Sequence, residues 1–117
     1  MTTGSIAKFD VKYVRFPEII NGVILGMTDY IPEKDKFLVV IDSSRPEPEQ
    51  RETLKHELVH VFLRHNIRNT ETELLEHEAV TKAERITDEQ LDFLLSFADS
   101  IEHLPGHYDE NYNYVAG

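Results

Sequence analysis

Between Pro48 and Pro105 the chain contains neither glycine nor proline. A stretch of that length without either residue lacks the usual backbone punctuation and suits helices, broken only where polar and capping residues interrupt them. The segment before it reads as β. Phe9 to Phe16 alternates, Lys36-Phe-Leu-Val-Val-Ile-Asp42 is apolar at five consecutive positions, and Asn21-Gly22 and Ile31–Asp35 carry turn chemistry. Strands first and helices after predict an α+β fold.

The strand pattern predicts a small N-terminal antiparallel sheet of two or three strands, at about 9–16, 23–28 and 36–42. In the first, Phe9, Val11 and Tyr13 share one face and Val14 and Phe16 the other, so both faces have apolar cover. Gly26 inside the second reads as a bulge, and the continuous apolarity of the third predicts a central strand. Helices are expected at about 47–65, 71–85 and 88–103. Pro46 and Pro48 are tolerated at a helix start, and Thr70-Glu-Thr-Glu73 and Thr87-Asp-Glu-Gln90 fit capping boxes. Leu91, Leu94, Leu95 and Ala98 form the inner face of the last helix, which Pro105-Gly106 stops, leaving 104–117 as a polar tail.

The length of 117 residues allows one domain, spanning 1–117, and 40% apolar residues suffice for its core. No apolar run approaches the ~20 residues of a membrane span. Met1-Thr-Thr-Gly-Ser shows no secretory pattern, and the chain has no cysteine, which removes disulfides and thiolate metal sites. A cytoplasmic location away from the membrane is the expectation. Twenty-two acids against twelve bases give a net charge of −10, which argues against direct contact with a nucleic-acid backbone.

On the first expected helix sits His56-Glu57-Leu58-Val59-His60. Residues i and i+4 share a helix face, so both imidazoles can reach one ion. Glu57 is rotated by about 100° from His56, placing its carboxylate beside a water on that ion rather than on the ion itself. A divalent ion lowers the pKa of such a water towards ~7, and the carboxylate takes its proton during attack on a carbonyl. Two histidines do not complete a catalytic zinc site, which commonly has three protein ligands and one open position. His65 falls off the His56/His60 face if the helix continues. The acid-rich second helix offers Glu71, Glu73, Glu76 and Glu78. Glu76 borders the apolar stripe of that helix and is the favoured third ligand, with Glu73 and Glu78 as the alternatives.

The run Thr53-Leu-Lys-His-Glu-Leu-Val-His60, followed downstream by Glu76-His-Glu-Ala79-Val-Thr-Lys-Ala83, resembles the ImmA/IrrE-type metallopeptidases over roughly residues 36–86. These include radiation-response regulators and enzymes that cleave phage or mobile-element repressors. The resemblance implies a minimal zincin-like fold, Zn2+ held by His56, His60 and Glu76, and Glu57 as general base. Two departures stand out: Val80 occupies a position where many relatives carry Asn or Asp, and Val61-Phe-Leu63 replaces small residues. Small stand-alone versions occur in phages and mobile elements, and this chain looks like one of them.

The expected function is therefore a zinc-dependent endopeptidase of narrow specificity cutting a peptide or protein substrate, such as a repressor or regulator. The alternative is a catalytically inactive zincin-like binding module. His103, His107, Tyr108 and Tyr112 are candidates for stabilising the oxyanion if the tail folds back over the cleft, against the reading of a loosely held terminus. The strand 36–41 is a candidate edge for an extended peptide, against the reading of an interior strand.

Overall fold

Strand β1 (Phe9–Arg15) has Phe9 and Val11 fully buried on one face and Val14 on the other, the pattern of a strand with cover on both sides. In the computed structural model, which describes residues 8–18, 24–62 and 81–117, β1 is the middle of a five-stranded mixed sheet ordered β2-β3-β1-β4-β5. The other strands are β2 (Gly26–Ile31), β3 (Lys36–Asp42), β4 (Ser100–Tyr108) and β5 (Tyr114–Val115). Helix α1 (Glu47–Phe62) follows β3, and α2 (Asp88–Leu95) precedes β4. The α+β class holds.

The sheet differs from the expected antiparallel one. β1 runs parallel to β3, with Phe9 opposite Phe37 and Val14 opposite Asp42, and parallel to β4, with Asp10 opposite Ser100 and Tyr13 opposite His103. The hairpin β2–β3 and the pair β4–β5 are antiparallel. A hairpin turn is written locally, here as Pro32–Asp35 with Asp35 at φ 48°. The partner of β1 is chosen by elements far along the chain, and local sequence carries no mark of it. β2 also lies later than expected. Its register runs unbroken from Gly26 opposite Ile41 to Ile31 opposite Lys36, so Gly26 forms no bulge. The expectation that 36–42 is interior holds, since β3 lies between β2 and β1.

Helix α1 places Leu54, Leu58 and Val61 on the sheet at positions i, i+4 and i+7. There they join Phe9, Val11, Phe37, Val39, Ile41 and Leu91 of α2 in one buried cluster. Each such side chain contributes about 1.5–3 kcal/mol by leaving water. Val14, Phe16 and Val40 form a second cluster on the opposite face of the sheet.

The helix expected over 88–103 ends early. The capping box at its start is present, with Gln90 N donating to Thr87 Oγ1 at 3.1 Å and Thr87 N donating to Gln90 Oε1 at 2.9 Å. After Leu95 the chain turns, Asp99 N donates to Phe9 O at 2.8 Å, and Ser100 begins β4. The open side of β1 needs a hydrogen-bonding partner, and that requirement outweighs the weak helical preference of Ser100–His103. Nor do residues 104–117 trail as a polar tail: they complete β4 and form β5. Pro105-Gly106 does not terminate a helix. Both residues sit inside β4, where its register with β1 shifts between Tyr13 and Arg15 and a proline is tolerated. Residues 81–83 are helical and 84–85 turn out of the helix, while residues 71–80 of the helix expected over 71–85, with its Thr70 capping box, lie outside the described residues.

Candidate active site

Helix α1 begins with Glu47 and Glu49 at its positive end and carries Pro48 in the first turn, where a missing N–H costs nothing. Its buried stripe fixes the helix's rotation on the sheet, and that rotation decides where the motif residues point. His60 and Glu57 are each only 7% exposed, and His56 is half-buried. A cleft of about 680 Å³ opens between α1 and β2, lined by Glu52, Thr53, His56, Glu57 and His60 from the helix and by Ile24 to Asp29 from the strand side.

The imidazoles of His56 and His60 meet at an interplanar angle of 75°, with their Nε2 atoms 3.3 Å apart. Two nitrogen ligands at about 2.0–2.1 Å from one tetrahedral ion stand about 3.3–3.4 Å from each other. The spacing of this pair therefore fits a shared ion, and imidazole ligands suit zinc, copper, iron or nickel. Glu57 faces the strand: Thr28 Oγ1 donates to its Oε1 at 2.6 Å, and the same hydroxyl lies 3.4 Å from the Glu57 carbonyl oxygen. The structure thus brings His56, Glu57 and His60 to one cleft. Glu76, Glu73, Glu78, Glu71 and His65 lie outside the described residues. Among the described residues no group of three His, Asp or Glu side chains is placed to hold a metal ion.

The suggested oxyanion residues are elsewhere. Tyr108 and Tyr112 pack their rings on Phe16, in the cluster on the face of the sheet away from α1. Burial raises the pKa of both phenols, and the nearby Asp42 carboxylate raises that of Tyr112 further. His103 stacks flat on Tyr13 at 4.5 Å, and His107 sits opposite Arg15. Both histidines are on β4, three strand positions from β2, or roughly 14 Å at ~4.8 Å per strand. None of the four lines the cleft. The candidate peptide edge moves too. β3 is interior, and among the described residues β2 is the outermost strand beside the cleft.

Two cleft residues escaped the sequence reading. Gly26 lets β2 close on α1, since a Cβ there would lie 2.6 Å from Thr53 Cγ2 and 3.2 Å from Glu57 Cγ. An isolated glycine in a strand signals either a bulge or a close approach, and here the second meaning applies. Thr28 carried no signal, because its partner lies 29 residues along the chain.

The chain matches the peptidase M78 family, described as the IrrE N-terminal-like domain, over residues 7–90. That span holds β1 to β3, α1 and every residue of the cleft. No curated protein and no solved structure matches the chain.

Proposed function

The chain belongs to the IrrE N-terminal-like family of metallopeptidase-like domains, and from there we propose that it is a zinc-dependent endopeptidase of narrow specificity, acting in the cytoplasm on a regulatory protein. The observation that carries this reading is the 3.3 Å spacing of the two imidazole nitrogens beside a buried carboxylate in a cleft walled by β2. His56 and His60 would hold the ion, with Glu76 as third ligand and Glu73 or Glu78 as its substitutes. When bound, a divalent ion supplies Lewis acidity, which polarises a carbonyl and lowers the pKa of a water.

The chain's own residues do the rest. Glu57, buried and fixed by Thr28, receives the proton of the attacking water and returns it to the departing amine. An extended peptide would lie in the cleft between α1 and β2. All 117 residues act as one domain in this reading.

The test is a pair of substitutions. Protein purified without added metal should carry one equivalent of zinc, and His60→Ala should lose it. Glu57→Gln should keep the metal but cut peptides at least ~100-fold more slowly, because its amide cannot accept the proton. Full metal with no Glu57-dependent turnover would instead identify a binding module.

A further inference from the structure

We infer that the turn joining β4 to β5 is a releasable plug: Tyr112 closes the sheet face over Asp42, and the turn opens while the rest of the chain stays folded. Asp42 ends β3, opposite Val14 in the register and on the same face, the one away from α1. It is fully buried. Its Oδ1 accepts from Phe16 N at 3.2 Å, Ser44 N at 3.0 Å and Ser44 Oγ at 2.7 Å. Asp42 thereby ties the end of β1 to the connection that leads into the motif helix. Its Oδ2 has no hydrogen-bond partner among the described residues, and neither has the buried hydroxyl of Tyr112. The Asp42 charge helps to raise the Tyr112 pKa, so the two groups lie within electrostatic reach.

Tyr112 sits at φ 61°, in the left-handed region that a bulky side chain rarely adopts and that is costly for it. The turn around it is otherwise well made. Asp109 Oδ1 accepts from Asn111 N at 2.8 Å and Asn113 N at 3.0 Å, and Tyr112 N donates to Asp109 O at 2.9 Å. Those bonds lie within 109–113 and travel with the turn. Its hold on the sheet is the Tyr112 ring, set edge-on to Phe16 at 5.8 Å and against Tyr108 at 5.8 Å. Opposing that contact, three costs meet at one place: a left-handed tyrosine, a phenol without a partner and a carboxylate oxygen without a donor. Each buried unpaired group has given up water and gained nothing for it. When Tyr112 swings out, water satisfies both oxygens and the backbone is free to leave the left-handed region. An element held this way opens more readily than the strands beneath it. Release bares Phe16 and lets water reach the bonds that Asp42 makes at the entry to α1, on the side of the sheet away from the cleft.

Hydrogen exchange of the full chain, followed residue by residue by NMR, reads the opening. The reporter is the Phe16 amide, which donates to Asp42 beneath the plug, and the reference is Val39, in a strand paired on both sides. Exchange at Phe16 should be faster than at Val39 and rise less steeply with urea, the mark of an opening that exposes little surface. Tyr112→Phe keeps the ring and removes the unpartnered hydroxyl, so it should slow exchange at Phe16 roughly five- to hundredfold. A urea dependence at Phe16 as steep as at Val39 would mean that the turn opens only with global unfolding, and overturns the plug. An unchanged or faster rate in Tyr112→Phe would mean that the hydroxyl has a partner, such as a bridging water, and overturns it as well.

Discussion

At Gly26 the room for one methyl group sets the distance between strand and helix. A Cβ there would meet Thr53 Cγ2 at 2.6 Å, Glu57 Cγ at 3.2 Å and the Val40 carbonyl at 3.2 Å. Two of those neighbours belong to the cleft wall, so relief would push α1 away from β2. Gly26→Ala should cost about 1–3 kcal/mol, the usual penalty of overpacking, measured by urea unfolding. Thr53→Ser, which deletes the offending Cγ2, should recover part of that loss in the Gly26→Ala background. The same crowding explains why Thr28 and Glu57 reach each other: a contact of 2.6 Å between residues on different elements needs both backbones held close.

At the level of elements, α2 is pinned to α1 by charge. Arg51 pairs with Asp92 at 3.0 Å and Asp88 at 3.5 Å, and Lys55 pairs with Asp88 at 3.2 Å and Glu52 at 2.8 Å. The hydrogen bond from Lys55 and its charge, with Arg51 behind it, hold the Asp88 carboxyl below the ordinary aspartate range. A depressed carboxyl pKa stabilises the fold above its unfolded value, and the benefit fades as pH falls through the folded one. Asp88→Asn should therefore lower Tm near neutrality; the difference should begin to shrink below about pH 4, where the unfolded aspartate protonates, and vanish only once pH has fallen through the lower folded value. Thermal scans between neutral and acid pH check this, and a constant difference down to the lowest pH contradicts it. β4 shows the opposite case, an element with little local encoding. Most of its residues are exposed, and it is a strand because β1 has an open side to fill.

For the molecule as a whole, the proposed ion links the motif to folding. A ligand that binds only the folded chain stabilises it by RT ln(1 + [L]/Kd), or about 4 kcal/mol at a thousandfold excess over Kd. Zinc should raise the Tm of chelator-stripped protein by several degrees, and a chelator should reverse the rise. His60→Ala should remove most of that response while leaving the Tm of the stripped protein within a few degrees of the wild type. Calorimetry of the four samples measures it, and an equal zinc response in both proteins contradicts the site.

The local chemistry of the sequence was enough to determine that α1 forms, that it carries His56, Glu57 and His60, and that Thr87 begins a helix, because period, capping and motif spacing act within a few residues. The apolar run of β3 likewise marked an interior strand, and the two apolar faces of β1 were visible before its partners were. Only the tertiary structure decided that β1 pairs in parallel on both sides, that Ser100–Tyr108 is a strand, and that β2 is the strand facing the motif. These are choices among partners far apart in the chain, settled by which backbone groups remain to be satisfied and which faces remain to be covered. Thr28 belongs to this second group: nothing near it in sequence marks its role, which exists only because a strand and a helix were packed together.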